Sequence, residues 1–135
     1  MSPYLSNLLI AGNIGIMVFF TVAVAPTIFT VLPPEWSAAY VRKFFPKYFL
    51  FLGVTTTVAS ALAFAGGIDL VRQWTLLACA LVFFFNCFWL TPRINQARDD
   101  KQASSFKALH WISVGFNMIQ LLVLIFLLFP TVQTL

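Results

Sequence analysis

Apolar residues along the chain gather into four runs, Leu5 to Phe29, Tyr48 to Ala65, Trp74 to Leu90 and Leu109 to Phe129, and every charged residue lies outside them. About 20 residues cross a hydrocarbon core as a helix, so the pattern predicts four transmembrane helices in one domain over residues 1–135. The last run carries polar interruptions. His110, Ser113, Asn117 and Gln120 recur three, four and three residues apart, and at about 100° per residue they fall within roughly 80° of one another on a helix. Each unsatisfied polar group facing lipid costs several kcal/mol, so this stripe must meet protein, water or a ligand.

The segments between the runs carry turn chemistry. Gly66 and Gly67 suit a left-handed helix end and Asp69 an N-cap, so the second and third spans are expected to form a tight antiparallel hairpin. The first connection opens on Pro33 and Pro34. In it Trp36, Tyr40 and Phe44 repeat every four residues beside Arg42 and Lys43, until Pro46. That spacing predicts a short amphipathic helix lying in the interface, ended by the proline. Pro92 closes the third span, and Ser104 or Ser105 is placed to cap the fourth. The fold class expected is an all-α integral membrane four-helix bundle with an interfacial helix between spans one and two.

Composition agrees: 61% of the 135 residues are hydrophobic and 9% charged, too little polar surface for a soluble domain. The first run has no basic residue before it and exceeds a secretory signal's apolar core, so it is read as a retained span. Arg42, Lys43 and Lys47 fall in the first connection and Arg93, Arg98, Lys101 and Lys107 in the third, against Arg72 alone near the second. The positive-inside rule then expects connections one and three in the cytoplasm and both termini outside, in a bacterial inner membrane. Tyr4 and Trp74 at one set of span ends, and Trp36, Tyr40, Tyr48, Trp89 and Trp111 at the other, fit an interfacial aromatic belt. The lipid bilayer is the expected partner, with other membrane-protein subunits beside it. The net charge of +4 reflects loop asymmetry rather than nucleic-acid binding.

Counting about 1.5 Å per residue from each span's centre puts an amide or hydroxyl from every helix near mid-depth: Asn13, Thr56, Asn86, Asn117 and Gln120. Asn13 is expected near Gln120, and Asn86 near Asn117. Such a polar layer is either interhelical hydrogen-bond glue or a small-molecule site. A second candidate lies at the inner end, where Arg93, His110 and Ser113 could converge with Asn86, because Cys79, Asn86 and Arg93 share one face at heptad spacing. Ala11 with Gly15 and Gly53 with Thr57 form small-xxx-small pairs expected to pack inside the bundle.

Catalytic chemistry is sparse. The acids are Glu35, Asp69, Asp99 and Asp100, all at span ends, so no carboxylate pair serves the core. Cys79 and Cys87 stand eight residues apart on one helix, about 12 Å along its axis, too far to bridge. No metal site, catalytic residue or cofactor is predicted. His110, the sole histidine, leaves single-ligand haem as a remaining alternative.

Four strings, "FTVAVAPTIFTVLP", "RKFFPKYF", "LTPRINQARDD" and "FKALHWISVGFNMIQ", in this order resemble the small four-helix membrane family of unknown function typified by human transmembrane protein 205. The resemblance rests on Pro26, Phe29, Pro46, Tyr48, Pro92, Arg93, His110 and Asn117, and implies a fold without an activity. Haem or oxygenase-type four-helix membrane enzymes fit less well, having need of more than one histidine or a buried acid. There is also an internal echo: "APTI" at Ala25 to Ile28 and "TPRI" at Thr91 to Ile94 each end an odd-numbered span, as two hairpins related by an axis along the membrane normal would. The function expected is a scaffold or accessory membrane component, with a small-molecule carrier or binder as the alternative.

Overall fold

The computed structural model describes the backbone of residues 1–133 and the side chains of residues 1–129. Four long helices follow one another: α1 (Ser2–Val31), α2 (Pro34–Ala65), α3 (Leu70–Asp99) and α4 (Ala103–Gln133). All four are long and apolar enough to cross a membrane. The chain is an integral membrane four-helix bundle.

Short connections force the antiparallel order, and each has a local cause. Leu32 is extended (φ −90°, ψ 141°) because it precedes Pro33, whose ring excludes the helical conformation from the residue before it. At the next turn Gly67 takes φ 61°, while its N–H and that of Ile68 bond back to the Phe64 and Ala63 carbonyls at 3.2 and 3.1 Å. This is the glycine-closed helix end that the sequence predicts, and Asp69 accepts from the Arg72 N–H at 3.3 Å as the expected cap. The third turn uses the same bonding, Lys101 to Arg98 and Gln102 to Ala97 at 3.1 and 2.9 Å. Here, however, the left-handed position falls on Lys101 (φ 55°). Helix α4 begins at Ala103, with the Phe106 N–H bonded to the Gln102 carbonyl, so Ser104 and Ser105 lie inside its first turn rather than capping it.

The interfacial helix expected between spans one and two is not a separate element. It is the first part of α2, which runs unbroken through Pro46. An interior proline costs about 3 kcal/mol in an isolated helix, but tertiary packing holds this one. Phe44 before the proline and Tyr48 after it both meet Phe20 of α1, with ring centroids 5.0 and 5.1 Å away, and Phe45 stacks on Phe49 across it at 5.8 Å. Trp36, Tyr40 and Lys43 point outward as an interfacial segment requires. Arg42 instead bridges to α3, donating to Asp99 at 2.5 Å and to the Asn95 carbonyl at 3.3 Å. Tyr48 leaves the expected aromatic belt and is buried in this cluster.

Two π-turns interrupt the odd-numbered helices: Phe20–Val24 in α1 and Asn86–Leu90 in α3. In each, an N–H reaches back five residues, Ala25 to Phe20 and Thr91 to Asn86, and each is followed by a proline, Pro26 or Pro92. A π-turn lets a helix continue past a ring that lacks an N–H and crowds the preceding turn. Aligning the two π-turns lays Ser6, Ile10, Asn13, Met17 and Phe20 over Arg72, Leu76, Cys79, Phe83 and Asn86, and all ten are buried. The echo seen in "APTI" and "TPRI" thus extends to backbone geometry and packing phase.

Each helix packs on its sequence neighbours, and α4 closes the ring against α1. The end bearing the termini is tightly tied. Ser6 donates to the Ala59 carbonyl at 2.8 Å, and Arg72 donates to the Leu127 carbonyl at 3.1 Å and to the Asn7 side chain. At mid-depth Gly53 brings α2 against α3, where an added Cβ would stand 2.9 Å from the Phe84 ring. Ala11, Gly12 and Gly15 behave differently. They face outward, with nothing within 4 Å of a Cβ at either glycine, so the α1 small pair does not pack inside the bundle, because Asn13 and Met17 hold the inward face.

Candidate functional site

At the basic end the ring opens. The backbones of α1 and α4 are adjacent along Ser2–Phe19 and part from Phe20 onward, where α1 keeps company with α2 alone. Between them lies a cavity of about 250 Å³. Phe20, Thr21, Ala25 and Phe29 of α1 and Val41, Phe45 and Phe49 of α2 make a largely aromatic wall. Thr91, Ile94, Asn95 and Arg98 of α3, with Phe106, His110, Ser113 and Asn117 of α4, make the polar one. The first π-turn borders this space through Phe20 and Thr21, and the wall of α3 begins at Thr91, just after the second.

The stripe on α4 does face inward: Ser113, Asn117 and Gln120 are buried and His110 is half-buried. Its members do different work. Ser113 donates to the Asn86 Oδ1 at 2.9 Å, and the Asn86 amide N–H reaches its own helix at the Val82 carbonyl, 3.2 Å away. Gln120 donates to the Cys79 carbonyl at 2.9 Å. Asn117 is the exception: its Oδ1 is buried with no hydrogen bond, and the Tyr48 hydroxyl, itself buried without one, lies on the N–H side of the same amide. The Gln120 Oε1 is also unpaired, but of these two amides Asn117 lines the cavity.

Asn13 and Gln120, expected near each other, do not hydrogen-bond, and neither do Asn86 and Asn117. Asn13 turns to α2, donating to Thr56 at 2.9 Å and accepting from Thr55 at 2.8 Å. Polar groups are present at mid-depth from every helix, but they pair between adjacent helices in steps along the axis instead of forming one shared layer.

The inner-end cluster is also rearranged. Arg93 lies outside the cavity with its guanidinium 4.2 Å from the Trp89 ring centroid on its own helix, while Arg98 joins His110 at the cavity. The π-turn is the reason. One extra residue in the turn rotates everything after it by about 100°, which carries Arg93 off the Asn86 face and brings Arg98 onto it. Phe106 fixes the result: Arg98 sits 4.8 Å over its ring, and His110 stacks on it at 5.9 Å and 8°. Pro92, six residues after Asn86 inside an otherwise apolar run, was the available signal for a shift of phase.

No group of three or more metal-binding side chains occurs among the described residues. Cys79 and Cys87 are buried free thiols, and Cys87 donates to the Pro46 carbonyl at 3.3 Å. The site offers an apolar volume with hydrogen-bonding groups at both ends.

No curated protein and no solved structure matches this chain. Residues 8–103, which take in most of α1 and all of α2 and α3, match the family described as a domain of unknown function, DUF4149, and the chain belongs to that family.

Proposed function

We propose that this membrane protein binds a small, mostly apolar molecule in the cavity at its basic end. The observation that carries the reading is Asn117: only 9% exposed, on the cavity wall, with its amide oxygen unpaired. Structural glue requires every buried amide to find its partners, because an unmet acceptor costs about 1–3 kcal/mol. Asn13 and Asn86 meet that requirement; the Asn117 and Gln120 oxygens do not, and of these Asn117 alone is on the cavity wall, which suits a group held ready for a ligand hydroxyl or N–H. The small four-helix family typified by human transmembrane protein 205, which the sequence resembles, fits this architecture. By the positive-inside rule the cavity belongs to the cytoplasmic half of a bacterial inner membrane, since Arg42, Lys43, Lys47, Arg93, Arg98, Lys101 and Lys107 gather at its end.

Gentle extraction followed by native mass spectrometry tests this directly. The expected result is a bound small molecule that is lost in Asn117→Leu and retained in variants at the opposite end. An empty protein held in a stable heteromeric complex would favour the accessory-component reading instead. A Soret band would favour haem on His110.

A further inference from the structure

The polar end of the cavity specifies more than a hydrogen bond. Arg98 has its guanidinium face on Phe106, and its edge makes no ion pair among the described residues. Both neighbouring acids are engaged elsewhere: Asp99 with Arg42 at 2.5 Å, and Asp100 with the Gln96 amide at 3.1 Å. His110 is stacked on the same Phe106 ring, so one aromatic platform aims two nitrogen-bearing side chains at the cavity, one of them a cation without a counter-charge. Planar, edge-on donors of this kind match a carboxylate.

The opening of the cavity indicates where such an anion comes from. The parting of α1 and α4 places Thr21 and Ala25 on one side of a lateral gap and Val114 and Met118 on the other. Thr21 is exposed and the other three are partly exposed. In a bundle that crosses the bilayer, this gap faces hydrocarbon. The volume of about 250 Å³ falls below the roughly 300–1,000 Å³ of sites for drug-sized ligands, which suits a single chain lying within it.

We infer that the cavity takes up a single-chain carboxylic amphiphile from the surrounding leaflet, its acid group against Arg98 and His110 and its chain along the Phe45 and Phe49 wall. This rests on the binding role proposed above and adds the ligand's charge, its chain number and its route. His110 and Asn117 are seven residues apart on α4, about 10 Å along the axis, so the chain lies between them and a hydroxyl at its far end would reach the Asn117 oxygen.

The test uses the full chain in nanodiscs of phosphatidylcholine, with a decanoate analogue carrying a photoactivatable diazirine as the probe. Saturable labelling is expected at the residues flanking the α1–α4 gap. Decanoate should displace the probe about tenfold better than decanol, as the loss of one charge-assisted hydrogen bond implies, and acetate should not displace it. Arg98→Gln should lower probe affinity about tenfold with little change in melting temperature, and Arg98→Lys should recover most of it. Equal displacement by decanol and decanoate would overturn the acid assignment while leaving the cavity a binding site. Displacement by acetate at the concentration at which decanoate acts would overturn the lipid source. Failure of both decanoate and decanol to displace any label at the cavity would overturn this inference and the binding role together. The competitor comparisons use the unmodified protein, so they decide the matter even where a variant does not fold.

Discussion

Replacing Asn117 with leucine separates a structural amide from a ligand-binding one, because the two roles give opposite signs in stability. Asn117 contributes no regular hydrogen bond from its Oδ1, and a buried unpaired acceptor costs about 1–3 kcal/mol. The Tyr48 hydroxyl beside the Asn117 N–H loses that neighbour on substitution, which brings the expected gain to the low end, about 1 kcal/mol. For a chain of this size such a gain raises the apparent melting temperature by about 3–5 °C. The assay is tryptophan fluorescence during thermal unfolding in mild detergent, with the emptied protein, so that ligand does not add its own stabilisation. Asn86→Leu is the matched control. It removes an amide that accepts from Ser113 at 2.9 Å and strands that hydroxyl, so it should destabilise by about 0.5–2 kcal/mol. A fall in melting temperature for Asn117→Leu comparable to that of Asn86→Leu would show that Asn117 holds the bundle together, and the reasoning for a site would fail.

Three further outcomes follow from local geometry. Gly53→Leu forces carbon into the Phe84 ring, 2.9 Å from where a Cβ would stand, and should destabilise by about 1–3 kcal/mol in the same unfolding assay; an unchanged melting temperature would mean α2 and α3 are not so close. Lys101→Gly relieves a left-handed residue at φ 55° and should stabilise by about 0.5–1 kcal/mol, read as an upward shift in the detergent-denaturation midpoint. Thr56→Val keeps shape but removes the acceptor for Asn13, 2.9 Å away. Its expected cost is about 0.6–1.7 kcal/mol, measured by a double-mutant cycle with Asn13→Leu.

What could be read from the sequence was whatever depends on short-range chemistry or bulk hydrophobicity. The four spans follow from apolar length, and the second turn from Gly67 and Asp69, because those residues act on their own backbone. The inward face of α4 was legible for the same reason, since nothing interrupts its period. The errors cluster where the helical period itself changes or where distant packing overrides a local rule. The π-turn at Asn86–Leu90 exchanged Arg98 for Arg93, and no fixed angle per residue anticipates an added residue within a turn. Pro46 was read as a stop because proline is costly in isolation, yet Phe20, 28 positions from Tyr48 and on another helix, sets the outcome through the aromatic cluster. The outward aim of Ala11 and Gly15 was likewise undecidable from spacing, because a small-residue pair carries no information about which side its partner is on.

The matched π-turns have a consequence for how a molecule on the bundle axis is seen from its two sides. Backbone and burial phase repeat between α1 and α3, but the side chains at equivalent places do not: Phe20 corresponds to Asn86, and Asn13 to Cys79. Around the cavity the first hairpin supplies Phe20, Phe45 and Phe49, while the second supplies Asn95, Ser113 and Asn117. A scaffold with near-equivalent halves would by itself accept a guest in two orientations related by half a turn. Here one half is largely aromatic and the other polar, so the broken equivalence would leave a guest bound there a single preferred orientation.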